Sequence, residues 1–161
     1  LRAAERTFQL MRQVSGRAGR ADAPGVALLQ SFQPDHLVIR AILSGDEEGF
    51  WRAEAAEREA TGMPPYGRLA GIIISADDAT AGFDLGTRLA RNDAALRAIG
   101  AVVYGPAPAP IARVRGRHRV RLLVKAPKGA ALQQAIAQWI APVRQSAKLR
   151  LAVDIDPQSF Y

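Results

Sequence analysis

The string Gln13-Val-Ser-Gly16-Arg17-Ala-Gly19-Arg20 sets two arginines three residues apart, each preceded by glycine. This spacing leaves the backbone unobstructed and brings two permanent cations together, and a guanidinium donates two parallel hydrogen bonds to phosphate oxygens. The chemistry it suits is stabilisation of charge on a transferring γ-phosphoryl group. A flexible basic turn is the plainer alternative, and spacing by itself leaves both open. A second cluster, Arg113, Arg115, Arg117, Arg119, Arg121 and Lys125, falls within thirteen residues and encloses His118. Cations at this density suit a polyphosphate backbone. The alternative is a solvated strand edge guarded by charge against aggregation, although five arginines in nine residues exceed what such a guard needs.

The chain has 161 residues, with 22 Lys and Arg against 15 Asp and Glu, for a formal net charge of +7. Residues 1–60 hold 8 basic and 9 acidic side chains, so the whole excess lies in the remainder. Nineteen of the cations are arginine, which fits either coding bias or selection for guanidinium forks on phosphate. The balance points to an anionic partner. With no cysteine there is no disulfide, thiolate nucleophile or thiolate zinc site, and His36 and His118 are too few for a histidine cluster. No metal site is expected. Asp77-Asp78 reads as helix-start chemistry, and Asp154 and Asp156 are given no catalytic role. Arginines interrupt the first twenty residues, and no apolar run approaches the ~18 residues of a membrane span. A cytoplasmic protein without a membrane partner is expected. The chain begins at Leu1, inside a helical pattern, which suggests a piece of a longer protein.

Positioning elements follow from periodicity. Ala4, Phe8, Met11 and Val14 recur at helical spacing, Val26 to Phe32 reads as a strand, and Asp35 to Leu43 as a short helix. Ser44-Gly-Asp-Glu47 matches a capping box, which predicts a helix from about Gly45 to Thr61, stopped by Gly62 and Pro64-Pro65. Beyond the break, Arg68 to Ser75 is a β-branched strand, and Ser75 or Asp77 caps a helix running to Gly100. Ala101 to Tyr104 is strand-like, Gly105 to Pro110 stiff and extended, and Ile111 to Lys125 a hairpin around Gly116. Ala130 to Ile140 is helical, and Leu149 to Ile155 alternates as a strand. The order from Arg68 onward is βαββαβ, the ferredoxin-like arrangement of the α+β class. Both helices then cover one sheet face. Alternation puts Val120, Leu122 and Val124 under them and Arg119, Arg121, Leu123 and Lys125 on the opposite side, joined by Arg150. Arg115, Arg117 and His118 are expected at the hairpin tip, reaching outward.

Gln13-x-x-Gly16-Arg17-x-Gly19-Arg20 resembles motif VI of the superfamily-2 helicases, which lies in the second of two RecA-like lobes. Pro24-Gly25-Val-Ala-Leu-Leu-Gln30, Gly62-Met-Pro-Pro-Tyr-Gly-Arg-Leu-Ala70, Gly105-Pro-Ala-Pro-Ala-Pro110, Arg117-His-Arg-Val-Arg121 and Asp154-Ile-Asp-Pro157 narrow the resemblance to the C-terminal portion of the primosomal PriA helicases. The resemblance implies an ATP-dependent 3′-to-5′ DNA helicase that recognises abandoned forks and reloads the replication machinery. It implies residues 1–45 as the end of the second RecA-like lobe, 46–66 as a connecting helix and turn, and 67–161 as a ferredoxin-like DNA-binding domain. By it Arg17 and Arg20 are arginine fingers toward ATP and Mg held on another lobe, with Gln13 and Gly16 shaping the same nucleotide-binding surface. Family zinc belongs to upstream cysteines that this chain lacks. The phosphate loop and its acidic partner motif are missing too, so the chain alone is expected not to hydrolyse ATP.

The family also works with other primosome proteins and with the single-stranded DNA-binding protein, for which Lys128 and Gln133 are candidate contacts by approximate position. Phe50, Trp51 and Tyr66 suit either a DNA-stacking platform or domain-interface packing, and packing is the expectation. Trp139 is assigned to the core, and His36 to a cap or the surface. Two other function classes fit the fold: an RNA-binding module, weakened because no stacking aromatic is expected on the open sheet face, and a protein-docking scaffold.

Overall fold

The computed structural model describes residues 2–18 and 25–158. The chain forms two compact units, Leu1–Glu57 and Arg58–Tyr161.

In the first unit, α1 (Ala3–Ser15), α2 (Leu37–Ser44) and the greater part of α3 (Glu47–Ala60) gather around Phe8, Val38, Ala41 and Phe50, all buried. The rings of Phe8 and Phe50 stack at 4.2 Å, and Trp51 meets both edge-on. Phe50 and Trp51 therefore pack in the unit's own core, as expected, whereas Tyr66, in the second unit, is exposed. His36 caps α2, its Nδ1 accepting from the Val38 N–H. The capping box is displaced from its expected place. Ser44 belongs to the last turn of α2, Gly45 ends that helix at φ 71°, and Asp46 Oδ1 accepts the Gly49 N–H at 2.8 Å to start α3. Only glycine takes the left-handed conformation there at little cost, so the break falls before Asp46 and makes it the cap.

The expected strand at Val26 to Phe32 does not form. Residues 25–31 have no regular structure, and Leu28 is 96% exposed. Among the described residues of this unit there is no other strand to pair with, and an apolar run without a ladder partner gains nothing from extending.

The second unit contains β1 (Gly67–Ala76), α4 (Ala79–Arg91), α5 (Ala94–Arg97), β2 (Val102–Val114), β3 (Arg117–Pro127), α6 (Leu132–Ile140) and β4 (Leu149–Ile155). The sheet order is β2-β3-β1-β4, and every neighbouring pair is antiparallel. This is the ferredoxin-like α+β fold, with β1 and β3 central and the helices on one face. Ile72, Ile74, Val120, Leu122 and Val124 bury that face against Leu85, Leu89, Leu96, Ile136 and Trp139. Trp139 Nε1 donates to the Leu89 carbonyl at 2.9 Å, which satisfies the one polar atom the indole carries inward.

Two details differ from the sequence reading. Asp78, rather than Ser75 or Asp77, caps α4 by accepting the Ala81 N–H at 3.0 Å, because β1 runs on through Ala76. The expected long helix is two, divided at Asn92-Asp93. Asn92 Nδ2 turns back to the Arg88 carbonyl at 2.8 Å, the local bond by which Asn competes with helix continuation. The proline-rich run lies inside β2, with register shifts between Tyr104 and Ala107 and between Pro108 and Arg113. As an edge strand, β2 tolerates residues that cannot donate to a ladder.

Candidate nucleic-acid interface

Directly opposed residues of antiparallel strands share a sheet face. The register therefore sorts the cationic cluster. Arg119 opposes Ser75, which opposes Arg150, so the two arginines stand in one line across β3, β1 and β4. Adjacent strands are about 4.8 Å apart, which separates their backbones by about 10 Å. Arg121 opposes Ile73 on one side and Ala107 on the other, and Lys125 opposes Leu69. All belong to the face that α4, α5 and α6 leave uncovered. Lys125 Nζ is held at its lower end by the Thr61 carbonyl at 2.9 Å.

The rest of the cluster divides differently from the expectation. His118 opposes Ala76 and Arg113, so His118 and Arg113 alternate onto the helix side of the sheet. Arg117 does not reach out from the hairpin tip. Its Nε and Nη2 donate to Asp77 Oδ1 at 3.1 and 3.0 Å, and Nη2 also donates to the Ala147 carbonyl. A carboxylate within reach at the end of β1 makes this guanidinium a strut between the hairpin and the loop before β4. Arg115 does occupy the tip: it is exposed at φ 48°, followed by Gly116 at φ 81°. Two successive positive φ values define the primed two-residue turn that matches strand twist, and arginine at the first of them is strained.

Sequence reasoning missed Tyr104. It opposes Leu123, which places it on the open face, and its side chain is 49% exposed. The Pro-rich bulges of β2 hide its register from the sequence. Its β-strand setting beside Val102 and Val103 was visible; its face was not.

The other anticipated residues lie apart from this face. Gln13 and Arg17 are exposed at the end of α1, where Gly16 and Arg17 close tight turns onto the Arg12 and Val14 carbonyls. Arg20 lies outside the described residues. Lys128 is exposed after β3, whereas Gln133 Oε1 accepts from Arg68 Nη1 at 3.1 Å. Arg68 also pairs with Asp156, so that acid of the Asp154/Asp156 pair serves the fold. Among the described residues, no group of three acidic, histidine or cysteine side chains is placed to hold a metal. No helix there is long and apolar enough to cross a membrane.

Residues 59–158 match the family described as the primosomal protein N C-terminal domain. The chain is 38% identical over 162 residues to the replication restart protein PriA of Rickettsia typhi, with 100% of this chain and 24% of that protein covered. It is 35% identical over 165 residues to the protein of the same name from Treponema pallidum, covering 97% and 24%. For Bacillus subtilis PriA the identity is 31% over 160 residues, covering 97% and 20%. The chain spans about a quarter or less of the length of these relatives. A fold, a family match over most of the chain and relatives of one name agree: the chain belongs to the primosomal PriA replication-restart family.

Proposed function

We propose that this chain is the part of an ATP-dependent 3′-to-5′ DNA helicase that grips forked or single-stranded DNA beside the motor, in a protein that recognises stalled forks and directs primosome assembly. The observation that carries the DNA reading is the line Arg119, Ser75, Arg150 across an uncovered sheet face, with strained Arg115 at the hairpin tip beside it. Backbone strain kept at an exposed cation fits a functional demand on that side chain. Arg113 and His118 contribute from the far side of the hairpin, and Arg121 and Lys125 extend the positive field along the open face.

Residues 1–45 are proposed as the end of a RecA-like lobe whose Arg17 and Arg20 face a nucleotide with its Mg on another lobe. Arg17 supplies an exposed guanidinium, but the described residues around it form no phosphate cradle. Zinc does not fit this chain's donors, since it has no cysteine; in the whole protein it belongs elsewhere. The single-stranded DNA-binding protein and other primosome proteins are the proposed protein partners, with Lys128 and Gln133 as candidate contacts. A cytoplasmic setting follows from this role.

An RNA-binding module is the second reading, favoured by the aromatic on the open face. Fluorescence anisotropy with labelled forked, single-stranded and duplex DNA and single-stranded RNA, across a salt series, tests both. Salt-dependent binding that prefers DNA is expected. No binding by folded protein at low salt sinks the nucleic-acid role and leaves a protein-docking domain; a preference for RNA replaces the first reading with the second.

A further inference from the structure

Tyr104 stands on the open face at its β2 edge. Its cross-strand neighbour is Leu123, and the row continues through Gly71, which has no side chain, to Asp154 at the far edge. The row above runs Ala107, Arg121, Ile73, Ala152, with alanines at both ends. On β1 only Gly71 leaves the floor bare, between Leu69 and Ile73 on the same face, and Asp154 of β4 stands three strands from the ring. On its own strand Val102 is 49% exposed, as Tyr104 is, so an apolar, solvent-facing step surrounds the phenol. Cations bracket it: Lys125 and Arg121 flank Leu123 on β3, and Arg119 and Arg150 close the upper end. A tyrosine left half exposed on an edge strand leaves apolar ring area unburied, and edge-strand propensity would be served as well by a valine.

An exposed ring beside an apolar floor bordered by cations is the arrangement that unpaired bases stack on, because every base has a π-face while phosphates track the positive border. Paired bases are stacked on one another and do not offer that face. We propose that Tyr104 is the base-stacking residue of the open face and gives this domain its preference for unpaired over duplex nucleic acid. The arginines supply affinity without regard to strandedness. This inference rests on the nucleic-acid reading above and assigns that reading its specificity element.

The test compares the whole chain with Tyr104→Val and Tyr104→Phe, titrated with oligo-dT and with a duplex of equal length at several salt concentrations. Valine keeps β-propensity, and circular dichroism checks the fold. Tyr104→Val is expected to lose roughly tenfold in affinity for oligo-dT, with duplex affinity and the salt slope unchanged. Tyr104→Phe should retain the wild-type preference. Irradiation of wild-type protein bound to 5-iodouracil-substituted oligo-dT should cross-link at Tyr104. Wild-type binding with an unchanged single-strand preference in Tyr104→Val overturns this inference and leaves the DNA reading standing. Absence of wild-type binding to either nucleic acid overturns both.

Discussion

Arg68 and Asp156 tie the start of the first strand of the sheet to the residue that follows the last. Arg68 Nη2 lies 2.8 Å from Asp156 Oδ2, and Nε donates to the same oxygen at 3.1 Å. The other carboxylate oxygen accepts the Leu69 N–H at 3.0 Å, while the Asp156 N–H donates to the Leu69 carbonyl at 2.7 Å. Asp156 takes φ 49° to do this, so the carboxylate extends β1–β4 pairing by one reciprocal step. The ion pair is partly solvated, and most of its value lies in the backbone acceptor. Asp156→Ala should cost about 1–2 kcal/mol and Asp156→Asn, which keeps an acceptor for Leu69, less than about half of that. Urea unfolding followed by Trp139 fluorescence in a Trp51→Phe background measures both. Equal losses in the two variants would place the value in the charge instead.

Arg115 should trade stability for binding. At φ 48° it occupies a position that asparagine or glycine fills with less strain. Arg115→Asn is expected to gain about 0.5–1 kcal/mol and to weaken DNA binding in low salt. A variant that is more stable and binds as well would remove the hairpin tip from the interface.

Neighbouring arginines of β3 should separate by phenotype. Arg117 is bonded to Asp77 and Ala147, so Arg117→Ala should destabilise the chain by about 1 kcal/mol and leave the salt dependence of binding almost untouched. Arg119→Ala and Arg150→Ala should each lower the slope of log K against log salt by about 1 or less, with little change in stability. The reverse pattern would mean that Arg117 leaves its partners to meet phosphate.

Close approach of α4 to the sheet depends on Gly86. A Cβ there would lie 2.8 Å from Pro106 Cβ, whereas nothing lies within 4 Å of one at Gly129. Helix propensity favours alanine at Gly86 by about 1 kcal/mol, yet displacing the packed proline costs more. Gly86→Ala should therefore lose about 1 kcal/mol or more net, and Gly129→Ala should be close to neutral. Thermal unfolding of the two variants decides it.

In a longer chain carrying the upstream lobes, Arg17→Ala should abolish DNA-stimulated ATP hydrolysis while DNA affinity persists. Arg17 is exposed beyond α1, and among the described residues its side chain makes no hydrogen bond or ion pair, so the loss would not arise from unfolding. Retained hydrolysis sinks the finger assignment.

Local pattern alone was enough for the ferredoxin-like order, because the β-branched run Ile72 to Ile74, the alternation of Leu149 to Ile155 and the helical spacing around Trp139 mark strands and helix in turn. It was enough as well for the sides of Arg119, Arg121 and Lys125, since one buried residue fixes the alternation of a whole strand. Families of motifs around Arg17 and Arg117 were legible as strings. What a residue does with its charge was not. Arg117 and Arg119 are alike in sequence, and only the meeting of Asp77 and Ala147 with the first makes it a strut. The strand at Val26 failed because a strand needs a neighbour that no local pattern supplies. Tyr104 reached the open face through bulges whose placement depends on pairing with β3. Local propensities are properties of neighbours along the chain and are written in it; partners, register and exposure are set by residues far away in sequence, and the fold alone brings those together.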